Sequence, residues 1–200
     1  MDFALSEERR ILRDTAARFI RDSYDMPRRH ANAAAPEGFS RRLWADFAEL
    51  GLIAALLPPH AGGLGGSGED ILVVMEELGR GLVVATFLPS AVLAGSLLAE
   101  LGDEKQKALL QDVIAGRHLL AFAHGEAESR YDLAEVRTRA GRRGAGWRLT
   151  GAKTVVLNGD SADTLVVSAR SSGAAQDENG LSLFLVGCDA AGITRRAYAT

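Results

Sequence analysis

The apolar residues of this chain change their period once, and that change constrains the fold more than any single motif. Up to Gly116 they recur at helical spacing; beyond it they come in short β-branched runs separated by Gly, Asp, Asn and Ser. Ser6 is placed to cap a first helix, with Glu7 and Glu8 beside the positive end of its dipole and Leu12, Ala16, Phe19 and Ile20 on one face. Ser40 opens a second helix, with Leu43, Trp44, Phe47 and Leu50 inward and Gly51 as its stop. A third is predicted over about 69–79 with Ile71, Val74 and Leu78 as its stripe, and a fourth over about 89–101. A fifth starts at an Asp103 cap and turns Leu109, Leu110, Val113 and Ile114 inward. Phe19, Trp44, Phe47, Leu78, Leu110 and Ile114 are the predicted core of this half.

The second half reads as strands: 119–123, 136–140, "GWRLTGAKTVVLNG", "DTLVVSA", "LSLFLVG" and "ITRRAYA". Helices followed by strands, without alternation, argue against a Rossmann arrangement and for two segregated units of an α+β chain, an all-α domain over 1–118 and an antiparallel β domain over 119–200. The polar segment at 171–180 is expected to be a hairpin loop. "LPPHAGGLGGSG" at 57–68 has the Pro and Gly density of a connection. No GK[ST] follows it, so a phosphate-cradling reading is unsupported.

Bulk properties narrow the function classes. A net charge of -3 with interspersed signs argues against nucleic acid. No apolar run reaches the ~20 residues of a membrane span, and "MDFALSEERR" lacks a secretory pattern, so a cytoplasmic protein is expected. Cys188 is the single cysteine, which rules out an intrachain disulfide and is expected to be packing. His124-Gly125-Glu126 has a metal-like look without further ligands, so no metal is expected. His30 and His60 are expected to be solvated. Glu126 and Glu128 could serve as acid and base, but the commoner reading is two solvated carboxylates. Nearly all the positive charge is Arg, with Lys only at 105, 107 and 153. The residues alone give a helical domain joined to a β domain through a charged junction, "AFAHGEAESRYDLAEVRTRA".

Taken in order, several stretches resemble the acyl-CoA dehydrogenase family. "LWADFAELGLIAALLPPHAGGLGG" is similar to its ELGL helix end and P-x-x-x-G-G loop, and "VVMEELGRG" to its EELGR segment. "GDEKQKALLQDVIAGRHLLAFA" resembles its G-x-x-x-Q-K helix leading into the first strand, and "GWRLTGAKTVVLNGDSADTLVVSAR" its G-x-x-LNG-x-K middle-domain run. The likeness is nearest to small-subunit types of two-subunit members such as pimeloyl-CoA dehydrogenase. The resemblance implies a helical domain followed by a barrel-like middle domain, with the family's C-terminal helical bundle absent from these 200 residues. It implies FAD as cofactor and α,β-dehydrogenation of an acyl-CoA to a trans-2-enoyl-CoA. An electron-transfer flavoprotein is the implied acceptor, and homo- or hetero-oligomeric association with another acyl-CoA dehydrogenase subunit is also implied.

The family's run A-F-A-L-T-E-P-G-A-G-S-D lies along flavin and thioester, and the stretch here that is similar to it is "AFAHGEAESRYD". The resemblance therefore implies flavin contacts at Phe122, His124, Gly125, Arg130 and Tyr131, and at Val155 and Leu157 in the second segment, with Tyr131 also meeting substrate. Gly125 stands for a Thr, Arg130 for a Gly and Tyr131 for a Ser. Val155 and Leu157 replace an aromatic residue and a Thr or Ser. Phe122, Ala123, Glu126, Asp132 and Asn158 keep the pattern. No residue is assigned as catalytic base, which is expected beyond Thr200, and the chain is expected to be part of a longer protein. Two alternatives stay open: a non-catalytic partner subunit, and a flavin-dependent monooxygenase on the same fold.

Overall fold

A computed structural model describes residues 4–198, and the chain divides into two compact units with the boundary between His118 and Leu119. In the first unit, α1 (Glu7–Ser23) begins where the Ser6 side chain accepts a hydrogen bond from the Arg9 N–H. α2 (Met26–Ala33), which hydrophobic spacing did not predict, is capped by Asp25 with Pro27 in its first turn. α3 (Arg41–Glu49) is capped by Ser40 and stopped by Gly51 at φ +75°. α4 (Gly68–Arg80) opens on a capping box in which Ser67 and Asp70 each satisfy the other's backbone N–H. Arg9 of α1 reaches Asp70 at 2.9 Å and so joins the two helices.

The predicted fourth helix starts earlier than expected. A π-helical turn over Phe87–Gly95 runs straight into α5 (Ser96–Leu101). The fifth is broken at Ala108 into α6 (Glu104–Lys107) and α7 (Leu109–Ile114), with Asp103 as the expected cap. Trp44, Phe47 and Phe87 meet edge to face with centroids 4.9–5.1 Å apart, and Phe19 packs on Phe47 in the same way. Trp44, Phe47, Leu78 and Leu110 are buried as predicted, whereas Phe19 and Ile114 are half-buried at the margin.

The 57–66 loop folds back on itself. Gly63, Leu64, Gly65 and Gly66 donate their N–H groups to the carbonyls of Pro58, Ala54, Leu57 and Ala55 at 2.8–3.1 Å. A Cβ on Gly63 would lie 1.9 Å from the Leu57 oxygen, so the glycine is there for close backbone approach. With those donors committed internally, the loop has no cradle to offer an anion.

The second unit is one five-stranded sheet: β1 (Leu120–Ala123), β2 (Arg139–Arg143), β3 (Gly146–Thr150), β4 (Thr164–Arg170) and β5 (Leu181–Gly187). β4 is central, pairing β1 in parallel and β5 antiparallel, with β2 joined only through Arg139 and Arg170; β2 and β3 form a hairpin. The sheet is therefore mixed rather than wholly antiparallel. The 171–180 segment is the β4–β5 hairpin loop, as expected. "TVVLNG" and the described part of "ITRRAYA" lie outside the strands, and β2 begins three residues later than Val136. The loop order is set by Arg170, whose guanidinium is almost fully buried and donates to the carbonyls of Ala134, Ala175, Asp177 and Asn179 at 2.6–2.8 Å.

Candidate functional site

β1 ends at Ala123, and its extension carries the residues singled out from the sequence. Phe122 and His124 share a face, their rings stacked with centroids 5.4 Å apart. Gly125 follows, and its carbonyl accepts the Thr154 N–H at 2.8 Å, which ties the 122–131 segment to the 152–158 segment. Val155 and Leu157 come directly after that tie. Arg130 and Tyr131 lie beyond, in the turn over 127–131, with Tyr131 99% exposed. The structure thus brings Phe122, His124, Gly125, Val155 and Leu157 to one bridged pair of segments and sets Arg130 and Tyr131 on an open turn next to it.

Backbone conformation marks the same place. Among the described residues four non-glycines have positive φ: Leu82 at 50°, Arg130 at 50°, Val155 at 51° and Asn158 at 55°. Three of the four fall in these two segments, and Val155 is β-branched, for which positive φ is a true outlier. Strain of this kind persists only where the surroundings fix it, and it gathers at ligand clamps.

Under the two segments lies a network that sequence reasoning missed. Glu126, read from the sequence as solvated, is 6% exposed. Its carboxylate accepts from the backbone N–H of Arg137 at 2.8 Å and of Thr138 at 3.0 Å, from the Thr138 hydroxyl at 2.6 Å and from Lys153 Nζ at 2.8 Å. Burial works against the charge, but the Lys153 and Thr138 bonds outweigh it and hold the carboxyl at about 2. Lys153 also donates to the His124 carbonyl at 2.9 Å and to Ser168 Oγ at 3.0 Å. Burial lowers the Lys153 ammonium, and the nearby Glu126 opposes that shift. The geometry decides for a charged pair, because four donors converge on Glu126 and all three Lys153 N–H groups find acceptors. Glu128, by contrast, is exposed as expected. The signal that could have found this network is Lys153 itself, the only lysine after residue 107 in an arginine-dominated chain.

The segments fit a flavin. Among the described residues the backbone N–H groups of Val155, Val156 and Leu157 have no protein acceptor, and the Val155 and Leu157 side chains are exposed. Free donors beside apolar surface are what a flat apolar ring with a polar edge requires. Hydroxyls are missing at Gly125 and Leu157, which leaves the backbone as the donor. The Arg130 guanidinium has no partner among the described residues and is free to meet a phosphate. His60 pairs with Glu100 at 3.3 Å on the surface, and no group of three or more His, Cys, Asp or Glu among the described residues is placed to hold a metal. No described helix is long and apolar enough to cross a membrane. Cys188 is half-buried and burial raises its thiol.

Residues 6–117 match the acyl-CoA dehydrogenase N-terminal domain and residues 121–200 the middle domain. Benzylmalonyl-CoA dehydrogenase of Aromatoleum aromaticum is 32% identical over 97% of this chain and 51% of its own length. The ChsE4–ChsE5 complex of Mycobacterium tuberculosis superposes with a TM-score of 0.84 at 28% identity, over 100% of this chain and 52% of that one. Glutaryl-CoA dehydrogenase of Mycobacterium smegmatis in complex with FADH2 gives 0.80 at 25% identity, over 95% of this chain and 48% of that one. The chain spans about half the length of the curated relatives it matches. With the helical unit, the mixed sheet and both domain matches in agreement, the chain belongs to the acyl-CoA dehydrogenase family.

Proposed function

We propose that this chain is part of an FAD-dependent acyl-CoA dehydrogenase, and that its two bridged segments border the flavin. The observation that carries the proposal is the gathering of strained backbone and uncommitted N–H donors at 125–131 and 154–158. Bound FAD would supply the hydride-accepting chemistry for α,β-dehydrogenation of an acyl-CoA thioester. The chain's own part is to hold and shield it. The N–H groups of 155–157 face polar ring atoms, Val155 and Leu157 cover apolar ring surface, and Arg130 meets the pyrophosphate. Phe122, His124 and Gly125 form the floor, and Tyr131 lies on the side from which substrate approaches. The proton-abstracting carboxylate belongs to sequence beyond Thr200, an electron-transfer flavoprotein takes the electrons, and the protein works as an oligomer with another subunit of the family.

The test is a fluorescence titration of FAD. Arg130→Ala in the complete protein should weaken binding about 10- to 150-fold, the worth of one charged hydrogen-bond contact. Unchanged affinity would remove Arg130 from the site.

A second reading has its own support. Gly125 and Leu157 lack hydroxyls and Val155 lacks an aromatic ring, as expected of a subunit that has given up its flavin and serves a catalytic partner. Among the similar solved structures is a complex of ChsE4 with ChsE5. Purified protein without absorbance near ~450 nm, after reconstitution with FAD, would favour the partner-subunit reading over the first.

A further inference from the structure

The bonds below His124 fix more than its position. Lys153 carries three N–H donors and no acceptor, and all three are spent, on the His124 carbonyl, on Glu126 and on Ser168 Oγ. Ser168 is 2% exposed. Its oxygen receives the Lys153 proton, so its single O–H is left to point at its other hydrogen-bond partner among the described residues, His124 Nδ1, at 3.0 Å. Nδ1 must then be an acceptor and carry no proton. In a neutral imidazole the remaining proton sits on Nε2, which has no protein partner among the described residues.

We infer that the Lys153–Ser168 relay locks His124 as the neutral Nε2–H tautomer, and that this directed N–H is a specificity element that takes a neutral carbonyl acceptor on the ligand of this face. The lock excludes the alternatives by charge and by geometry. A protonated ring would place an Nδ1–H against the Ser168 hydroxyl, forcing its O–H away from every acceptor in reach, with the Lys153 ammonium close behind. The charged and titratable groups facing the ring are Lys153 and Glu126, and they oppose one another. Burial, then Lys153, lower the imidazole below its usual value, with Glu126 a smaller opposing influence. The ring is therefore neutral near neutral pH and suits a carbonyl rather than a phosphate or carboxylate. Phe122, stacked on it, holds the ring plane. The assignment of the acceptor rests on the flavin reading above; the lock does not.

Two carbonyl sources exist for a ligand here, the flavin ring and an acyl thioester. The lock is tested first, with no ligand, by nitrogen-15 NMR of the histidine rings in the 200-residue chain, His124 being assigned by loss of its signals in His124→Gln. The expected result is a neutral ring protonated at Nε2 across pH 7–8, with Ser168→Ala giving a mixture of both tautomers. A wild-type ring protonated at Nδ1, or a ring charged at pH 7, overturns the lock. So does a Ser168→Ala spectrum identical to wild type. The donor is tested next by titrating FAD and, separately, a saturated acyl-CoA. Because Gln presents an N–H near the Nε2 position and Leu presents none, His124→Leu should weaken the acceptor's ligand about 2- to 12-fold while His124→Gln stays within about twofold. Weakening of FAD alone names the flavin carbonyl, and weakening of the acyl-CoA alone names the thioester. Equal affinity of all three proteins for both ligands overturns the donor role. A chain that binds no FAD at all defeats the flavin reading while leaving the tautomer result to stand on its own.

Discussion

Glu126 and Arg130 sit four residues apart in one connection, both charged, and the fold treats them oppositely. Glu126 is buried, meets four donors and anchors the end of β1 to Thr138 and Lys153. Arg130 is exposed, without a partner among the described residues, and its backbone is left-handed. The difference teaches that neighbouring charges in one connection can be treated in opposite ways by the same fold. One charge ties the platform together, and the other has no partner within it among the described residues.

Removing Lys153 should do the most damage. Lys153→Met leaves the Glu126 carboxylate buried without its counter-charge, and breaking such a pair costs about 3–5 kcal/mol. Urea unfolding of the sheet unit would read this. Glu126→Gln combined with Lys153→Met should cost less than the single change, because no charge is then stranded. A Lys153→Met loss below ~1 kcal/mol would mean that the pair is wet and the contrast with Arg130 false.

Acid should act next, and in a definite window. Glu126 is held at about 2 in the folded chain against 4.5 when free. Its folded value lies below its unfolded one, so the stability it adds is fully present above about 4.5 and is lost as pH falls through 2. The whole displacement is worth roughly 3 kcal/mol. Lys153 does not blur this window, because the cost of burying its charge is constant at every pH below its own lowered value. Wild type should therefore lose stability between about pH 4.5 and 2 faster than Glu126→Gln does, as followed by thermal melts. Parallel pH profiles for the two proteins would contradict the assignment.

A smaller effect is expected at Val155, which shares the left-handed conformation with Arg130. Such a conformation costs an L-residue about 1–2 kcal/mol, and glycine removes that cost while giving back about 0.5–1 kcal/mol in chain entropy. Val155→Gly should stabilise the chain by about 0.5–1 kcal/mol and weaken any flavin that rests on the exposed valine. A destabilised Val155→Gly would show that the side chain is held by packing rather than left as a ligand surface.

Much of the helical unit was legible from Ser6, Ser40 and Asp103, because a cap acts within its own turn. α2 was missed although Asp25 and Pro27 announced it, since its eight residues carry too few apolar positions to show a period. The parallel pairing of β1 with β4 was invisible because it joins segments 44 residues apart. "TVVLNG" has strand composition but no ladder partner; its backbone turns at Val155 and Asn158 instead. Glu126 was misread for the same reason as β1. Its burial is decided by Lys153 and Thr138, 27 and 12 positions away, and nothing local to "HGEAES" records them. Family resemblance singled out these segments, but it could not rank their charges.

The smallest predicted stability change belongs to Arg130, and it closes the comparison with Glu126. Arg130→Ala removes a side chain with no partner among the described residues and keeps a residue that resists positive φ, so stability should move by less than ~0.5 kcal/mol. Arg130→Gly relieves the backbone and should raise stability slightly, by no more than about 1 kcal/mol, the left-handed cost less the glycine entropy. Chemical denaturation of both variants beside wild type separates the two terms. If Arg130→Ala instead cost as much as the Lys153 change, the arginine would be a second anchor of the platform, and its freedom to meet a ligand phosphate would be gone. If both substitutions are silent in folding and Arg130→Ala alters only the FAD titration, two residues of one connection divide cleanly between holding the site and meeting its ligand.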